Sequence, residues 1–172
     1  MKTYQYCPRC QTPMQEEVRS GFPRKVCPNQ ACGFIFWNNP TPVVGAIVEH
    51  PEGVVLVQSN GWPSHFYGLV TGFLEAGEVP EAAVLREVHE EIGLNATIGE
   101  FIGFYPFKRM NQIIMVYHVR ATGTVQIDQT ELADFRIVPL EKLRPWKAGT
   151  GYALAEWLSS RGYDPQFIDL KA

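Results

Sequence analysis

Three glutamates, Glu87, Glu90 and Glu91, stand close together near the middle of this 172-residue chain. In a helix, spacings of three and four residues make their carboxylates neighbours, and like charges there destabilise the helix by about 0.2–0.5 kcal/mol per pair. A divalent cation would turn this repulsion into a stabilising contact, because Mg²⁺ takes carboxylate oxygens, waters and substrate phosphate as ligands. The trio therefore predicts a Mg²⁺ or Mn²⁺ site. From these three residues alone, a solvated acidic helix face is the alternative.

The helix that would carry the trio is expected near Pro80 to Ile92. Pro80 suits the first helical turn, where a missing N–H costs nothing, and Gly93 suits the position after the last turn. One stripe at about 100° per residue collects three apolar residues for the core: Leu85, Val88 and Ile92. The three glutamates fall on a different arc, roughly opposite, and the small side chain of Ala83 leaves room near them.

All four cysteines lie near the start of the chain, in two closely spaced pairs: Cys7, Cys10, Cys27 and Cys32. Such paired spacing is typical of a four-thiolate zinc site. So short a segment cannot build its own hydrophobic core, so Zn²⁺ would supply its folding free energy. A closed four-thiolate site leaves no open position, which makes the zinc structural. The alternatives are a disulfide framework and a redox dithiol at Cys7 and Cys10.

Charge and hydropathy narrow the class of protein. The net charge is −3 and no basic run is present, which argues against generic nucleic-acid binding because that needs a cationic footprint. The sequence does not begin with a cationic segment followed by an apolar stretch, so a signal peptide is not expected. No apolar run approaches the length of a membrane span. The cytoplasm is the default expectation.

The rest of the sequence alternates strand and turn signals. Strands are expected over residues 34–37, 43–49, 54–58, 69–73, 98–105, 113–120 and 135–138, and a second helix over residues 152–161. A proline- and asparagine-rich stretch at residues 38–42 is typical of a linker. We therefore expect two domains, a zinc ribbon over residues 1–38 and a larger domain with the acidic helix over residues 39–172.

Seven residues around the acidic trio fall in register with the box that defines Nudix hydrolases: Gly72, Glu78, Arg86, Glu87, Glu90, Glu91 and Gly93. At roughly 5–7% usage per residue type, chance gives such a match on the order of once per 10⁸ windows. The chain thus resembles the Nudix hydrolases, magnesium-dependent enzymes that cleave nucleoside diphosphates linked to another group. The resemblance implies an α/β fold, the Nudix α/β/α sandwich with a mixed sheet, here preceded by a small zinc ribbon.

The resemblance also assigns roles to residues of the box. Glu87, Glu90 and Glu91 would bind the catalytic metal, while Glu78 and Arg86 would brace the preceding loop against the helix. Gly72 and Gly93 complete the support of the box. An exposed Arg86 without this role is the alternative.

One further acidic residue matches a pattern of the family. Glu131, in an Asp-x-x-Glu-Leu stretch at residues 128–132, would join the metal site, and Glu91 or Glu131 would orient or deprotonate the attacking water. Glu87 is the third member of this catalytic set. An ordinary loop glutamate is the alternative for Glu131.

Two subgroups share features with this chain beyond the box. A four-cysteine ribbon before a Nudix domain is characteristic of NADH pyrophosphatases, and residues 105–107 keep the aromatic-Pro-Phe core of their signature without its Ser-Gln start. Residues 37–40, 43–45 and 63–65 resemble the ribbon-bearing FAD and ADP-ribose pyrophosphatases. The implied reaction is cleavage of NADH to AMP and reduced nicotinamide mononucleotide, or of FAD to AMP and FMN. Removal of NAD caps from RNA would cut the same bond.

Several side chains are candidates for holding such a substrate. The candidate ring-stacking aromatics are Phe66, Tyr67, Tyr105 and Phe107, with core packing as the alternative for each. Lys108 and Arg109 would hold phosphate, with plain exposure as the alternative. The resemblance also implies a homodimer. The rival functions are a non-hydrolytic nucleotide sensor, disfavoured by the intact box, and a zinc-ribbon nucleic-acid adaptor.

Overall fold

The computed structural model describes residues 4–169, and the chain divides into two compact units, Met1–Pro40 and Thr41–Ala172. The smaller unit contains an antiparallel sheet of β1 (Gln15–Arg19), β2 (Phe22–Val26) and β3 (Ile35–Phe36). The domain boundary expected between residues 38 and 39 stays a prediction.

The β1–β2 hairpin of the smaller unit was not expected from the sequence. Ser20 and Gly21 form its turn and both have positive φ, 51° and 81°. A small polar residue followed by glycine is a recognised signal for such a turn. Cys7, Val26 and Cys27 are the buried residues that the structure describes in this unit, so its interior is built largely around thiols.

The larger unit contains all the strands and helices expected after residue 40, most of them longer than expected. They are β4 (Thr41–His50), β5 (Gly53–Ser59), β6 (Val70–Phe73), α1 (Pro80–Ile92), β7 (Ala96–Phe107), β8 (Gln112–Ala121), β9 (Leu132–Val138) and α2 (Thr150–Ser160). Short 3₁₀ turns cover Lys108–Met110 and Leu140–Lys142. Neither α-helix within residues 4–169 has the length and apolar character that crossing a bilayer requires.

The sheet of the larger unit is mixed, with the order β7-β8-β4-β5-β9. β4 pairs in parallel with β8 from Thr41 to Glu49, and its other pairings are antiparallel. One edge of β4 is shared, because its first half pairs with β6 and its last residues pair with β5. This division lets the chain leave the sheet at the end of β6 and enter α1.

Two separate hydrophobic clusters place the helices on opposite faces of the sheet. Val84, Val88 and Ile92 of α1 belong to one cluster, and Leu154, Trp157 and Leu158 of α2 belong to the other. The expected α/β/α sandwich with a mixed sheet is confirmed.

Helix α1 begins and ends where the sequence predicts, but its buried side is rotated. Pro80 is its first residue, and Gly93 ends it in the left-handed conformation with φ 69°. Val84 is fully buried whereas Leu85 is half-buried. Two expectations were therefore wrong. Ala83 lies in the core, not open beside the glutamates, and Glu91 lies on the buried side of the helix. The buried side of α1 is therefore wider than the apolar stripe predicted from Leu85, Val88 and Ile92.

A buried histidine lies on the other face of the sheet, under α2. The His118 ring is fully buried, stacks on Trp157 with ring centroids 5.2 Å apart, and contacts Glu49 Oε2 through Nε2 at 2.7 Å. Glu100 Oε1 lies 3.8 Å from its Nδ1. A β-bulge in β7 leaves Gly99 against the ring, where a Cβ would overlap Nδ1. Burial lowers the pKa of His118, against the opposite effect of Glu49.

This environment makes stability depend on pH. Because the folded-state pKa of His118 lies below its usual 6.5, the unfolded chain binds a proton that the folded protein excludes, and stability is lost as pH falls below about 6.5. Glu49 and Glu100 oppose this loss, whereas Arg120 and Arg161 reinforce it. Urea unfolding between pH 7.5 and 5.5 should show the wild type losing more stability than His118→Gln, by up to about 1.4 kcal/mol per pH unit. Equal losses, or an NMR titration giving His118 a pKa above 6.5, would contradict the prediction.

Candidate metal-binding and active site

A cleft of about 370 Å³ lies beside the exposed end of β6 and the polar side of α1. A third segment, the turn at residues 128–131, closes it. The lining residues are Thr71, Gly72, Phe73, Glu75, Arg86, Glu87, Glu90, Glu91, Asp128 and Glu131. The structure thus brings the four predicted metal-binding glutamates to one cleft, although Glu131 follows Glu91 by 40 positions in the sequence.

Gly72 makes room for Glu87 at the bottom of this cleft. A Cβ on Gly72 would overlap the Glu87 carboxylate. Gly72 is not among the glycines with positive φ, so the obstacle to a side chain is the carboxylate, not the backbone. Burial raises the pKa of Glu87, although Arg86 opposes that effect. The glycine of the box is therefore needed for the position of a glutamate 15 residues later.

We expect Gly72→Ala to lower turnover by at least about 10-fold, because the added methyl group displaces the Glu87 carboxylate from the cleft. Gly45→Ala is the matched control for added volume, since its Cβ would meet methyl groups of Ile114, Thr150 and Thr71 at 3.3–3.5 Å, a tight contact that involves no carboxylate. Rates of hydrolysis and thermal unfolding of both variants provide the measurement. Equal activity of Gly72→Ala and wild type would show that Glu87 is not confined by this contact.

Arg86 joins the loop before α1 to the acidic face of the helix. Its Nε and Nη2 donate to the two carboxylate oxygens of Glu78 at 2.9 and 3.0 Å, and Nη2 also donates to the Phe73 carbonyl at 3.2 Å. Its Nη1 donates to Glu87 at 2.7 Å and to Glu90 at 2.8 Å. The guanidinium holds the pKa of Glu78 below its usual range, and these carboxylates raise the pKa of Arg86. These contacts favour the bracing role over plain exposure.

Glu91 is the most buried carboxylate of the cleft. It is 7% exposed, and within residues 4–169 no hydrogen-bond donor contacts its carboxylate. Burial, followed by the charges of Glu87 and Glu131, raises its pKa to about 8. An ionised carboxylate is costly in such a place unless a cation pairs with it.

Glu131 lies in a tight turn whose backbone is fixed to α1. The Asp128 N–H donates to the Glu91 carbonyl at 2.9 Å, and the Asp128 carbonyl accepts from the N–H groups of Glu131 and Leu132 at 3.1 and 2.8 Å. The Asp128 carboxylate accepts from the N–H and hydroxyl of Thr130, both at 2.8 Å, which lowers its pKa. Glu131 and Glu91 are thus connected through one short stretch of backbone.

The carboxylates of the cleft suit a hard divalent cation. All are oxygen donors, and Gly72 leaves the space that Glu87 occupies. Their oxygens are more widely spread than the cysteine sulfurs. Within residues 4–169, the four cysteines are the one group of three or more possible ligand residues whose ligand atoms all lie within 4.8 Å of one another. Glu87 and Glu90 are instead held by Arg86, so binding a cation would require them to exchange partners.

The cysteine thiols form a compact cluster in the smaller unit. The Sγ atoms of Cys7 and Cys32 lie 3.6 Å apart, and those of Cys10 and Cys27 lie 3.4 Å apart. A tetrahedral zinc with Zn–S bonds of about 2.3 Å gives S···S distances near 3.8 Å, whereas a disulfide gives about 2.0 Å. Hydrogen bonds from Thr12 lower the pKa of Cys10 to about 6, and burial raises that of Cys27 to about 12. This arrangement fits zinc and leaves all four thiols free of disulfides.

The predicted substrate-binding residues lie apart from the carboxylates. Tyr105 is buried in the cluster under α2, and its hydroxyl donates to Glu156 at 2.5 Å, which favours its packing alternative. Phe107 and Phe66 are half-buried against the same cluster, and Phe66 packs edge-on against Trp146. Arg109 is exposed in the 3₁₀ turn at Lys108–Met110.

Tyr67, another predicted ring-stacking residue, is also buried. Its hydroxyl donates to Asp134 at 2.5 Å, and the Arg136 guanidinium lies 4.0 Å from its ring centroid. These contacts likewise favour packing over substrate binding.

Phe73 is the aromatic member of four cleft residues that were not predicted as site residues, with Thr71, Glu75 and Asp128. Phe73 is 55% exposed at the end of β6, and it lines the cleft with Glu87 and Glu91. An exposed phenylalanine beside acidic groups offers a face for stacking a planar ring. Its position directly after Gly72 in the box was the available signal.

Comparison with known proteins gives three kinds of similarity. A sequence model of the NUDIX domain matches residues 39–158. The chain is 28% identical over 144 residues to the NAD-capped RNA hydrolase NudC of Pseudomonas aeruginosa, covering 83% of this chain and 50% of that protein. It is 27% identical over 142 residues to the human NAD-capped RNA hydrolase NUDT12, covering 77% of this chain and 30% of that protein. This chain therefore spans half or less of the length of these relatives.

Solved structures share the fold. A NUDIX hydrolase from Nitrosomonas europaea superposes with a TM-score of 0.76 at 23% identity, covering 96% of this chain and 97% of that one. An ADP-ribose pyrophosphatase from Streptococcus suis gives a TM-score of 0.59 at 19% identity, covering 76% and 98%. At these identities the likeness concerns the fold alone.

Proposed function

This chain belongs to the Nudix family, and from that premise we propose that it hydrolyses the pyrophosphate bond of a dinucleotide. NADH or NAD is the proposed substrate, giving AMP and a nicotinamide mononucleotide. One observation carries the proposal: the four predicted metal-binding glutamates, which come from two separate segments, line one cleft together with the exposed residue Phe73. A pyrophosphate with flanking nucleosides presents the matching features, two charged phosphates and planar rings.

Glu87, Glu90, Glu91 and Glu131 would hold Mg²⁺ or Mn²⁺ in this cleft. When bound, the cation would neutralise phosphate oxygens and lower the pKa of a coordinated water. The burial of Glu91 supports this assignment, because its unpaired charge is stabilised only when a cation is present. Arg86 would keep Glu78 and the loop before α1 in place while Glu87 and Glu90 turn to the metal.

Glu131 is the proposed general base for the attacking water, with Glu91 as the alternative. Glu131 is exposed at the cleft and lies on a turn held by backbone hydrogen bonds, so it can accept a proton without carrying the burial cost of Glu91. Water attacks one phosphorus atom in line, the bond from that phosphorus to the bridging oxygen breaks, and the other phosphate leaves with that oxygen. Positioning and charge neutralisation supply most of the acceleration in such reactions.

Phe73 is the proposed ring-stacking residue, in place of Tyr105. Phe73 is exposed and lines the same cleft as Glu87. A nicotinamide, adenine or flavin ring stacked there would place the linked phosphates near the carboxylates. FAD and ADP-ribose remain the alternative substrates, because they share this combination of ring and diphosphate.

A hydrolysis panel with product identification tests the proposal. NADH, NAD, FAD, ADP-ribose and diadenosine polyphosphates would be compared with Mg²⁺ and with Mn²⁺, and the products separated by chromatography. Preference for NADH or NAD, with AMP released, is the expected result. Preference for FAD or ADP-ribose would replace the substrate but keep the chemistry. No turnover of any substrate would favour the alternative of a nucleotide sensor.

RNA with a 5′ NAD cap is a further proposed substrate. Two of the curated relatives are NAD-capped RNA hydrolases, and the bond cut is the same as in free NAD. A capped and an uncapped RNA of one sequence would separate this activity from generic RNA binding. Release of nicotinamide mononucleotide from the capped RNA alone is the expected outcome.

The proposed enzyme carries a structural zinc in its ribbon and acts as a homodimer. For the dimer, the supporting feature is β7, an edge strand of the sheet with Phe101 and Phe104 44% and 63% exposed. Monomers seldom leave large contiguous apolar patches in water. Sedimentation of the wild type and Phe104→Glu would test whether this edge takes part in association.

A further inference from the structure

Asn60, in the loop after β5, contacts the turn that carries Glu131. Its side-chain amide donates to the carbonyls of Gln129 and Thr130 at 3.1 and 3.0 Å. Its backbone N–H donates to the Glu131 carbonyl at 2.8 Å. One residue therefore satisfies three consecutive carbonyls of the turn, and its side chain supplies two of the three hydrogen bonds.

The two ends of this turn are held by different parts of the chain. At its start, the Asp128 N–H is bonded to the Glu91 carbonyl at the end of α1. At its end, Asn60 holds residues 129–131 next to the first residue of β9, where β5 and β9 pair irregularly. Gln129, Thr130 and Glu131 are all exposed, so core packing does not fix their backbone.

We propose that Asn60 is a positioning residue for Glu131, holding the turn so that the Glu131 carboxylate stays over the cleft. This inference rests on the proposed role of Glu131 in hydrolysis. An exposed turn that loses two hydrogen bonds samples other backbone conformations, and a displacement of about 1 Å at a catalytic group costs up to about 10²-fold in rate.

Two substitutions separate the hydrogen bonds from the shape of the side chain. Asn60→Ala removes the amide, and Asn60→Asp keeps the shape but cannot donate to the carbonyls. We expect each to lower kcat by about 10-fold with KM changed less than about 2-fold, because substrate contacts are untouched. Asn95→Ala, at an exposed asparagine outside the turn, is the matched control and should keep wild-type kinetics. A kcat within about 2-fold of wild type in both Asn60 variants would overturn the proposal.

A double-mutant cycle tests whether Asn60 acts through Glu131. In a Glu131→Gln background, adding Asn60→Ala should lower kcat by less than about 2-fold, because the group that Asn60 positions is already lost. The same 10-fold loss in both backgrounds would show an effect independent of Glu131, and it would contradict the proposal.

Hydrogen exchange of the metal-free protein gives a readout that needs no activity. Asn60→Ala should speed the exchange of the Thr130, Glu131 and Leu132 amides, while α1 and the thermal unfolding temperature stay near those of wild type. Unchanged exchange in the turn would remove the physical basis of the inference. If the wild type hydrolyses none of the dinucleotides, the proposed function fails. The exchange experiment would still show whether the hydrogen bonds of Asn60 hold residues 129–131.

Discussion

Glu91→Gln should abolish most of the hydrolytic activity, by at least about 10²-fold in kcat, while leaving the fold intact. The substitution keeps the shape of the side chain and removes one charged ligand at the most buried position of the cleft. Near-normal turnover of this variant would remove Glu91 from the metal site.

The same substitution should stabilise the metal-free protein. Burial and the neighbouring charges of Glu87 and Glu131 raise the pKa of Glu91 to about 8 in the folded protein. In the unfolded chain this carboxyl group loses its proton near pH 4.3, so a rise in pH above that value favours the unfolded chain. Stability is therefore lost as pH rises from about 4.3 to 8, and a glutamine avoids that loss. We expect a gain on the order of 1–3 kcal/mol in urea unfolding at pH 8 with a chelator present.

With saturating Mg²⁺ the wild type should be more stable than Glu91→Gln, because a cation stabilises the wild-type carboxylate and not the amide. Glu90→Gln is the matched control. That carboxylate side chain is 58% exposed, so its loss should change the stability of the metal-free protein much less. Equal stabilities of Glu91→Gln and wild type without metal would show that burying the Glu91 carboxylate does not destabilise the protein.

Removal of zinc should unfold residues 4–40 and leave the larger unit folded. Residues 4–40 include few buried apolar side chains, whereas both hydrophobic clusters of the larger unit consist of its own side chains. Zinc binding contributes on the order of 10 kcal/mol to the folding of small thiolate domains. Elemental analysis should find one zinc per chain, and amide spectra after chelation should lose the signals of β1, β2 and β3 only.

Cys10→Ser should reproduce the effect of chelation. Thr12→Val provides the control, because Thr12 contacts the Cys10 sulfur at 3.3 Å without being a proposed ligand. That variant should keep its zinc. A purified protein without zinc and with its thiols paired as disulfides would overturn the assignment.

The box was predictable from sequence because its parts act over short distances. Pro80 and Gly93 set the limits of α1 through local backbone preferences, and Glu78 meets Arg86 from a loop immediately before the same helix. The burial of Glu91 was not predictable in this way, because it depends on how far the sheet extends across α1.

Tyr105 shows a second limit of sequence patterns. It was a candidate because residues 105–107 keep an aromatic-Pro-Phe pattern, and such a pattern does not say which face of the sheet its side chains take. The partner of its hydroxyl, Glu156, lies 51 positions further along the chain. The role of Asn60 was hidden for a similar reason, because its partners lie 69 and 70 positions further along the chain.

The parallel pairing of β4 with β8 also has a consequence for the order of folding. It joins distant parts of the chain, as shown by Glu49 and His118, which meet although 69 positions separate them. Such long-range pairing is slow, because the entropy of closing the intervening chain is lost before the contacts form. α1 lies within that intervening segment, and the turn with Glu131 follows β8. A growing chain should therefore acquire its cleft only after β9 is synthesised, and folding intermediates that precede this step should be inactive.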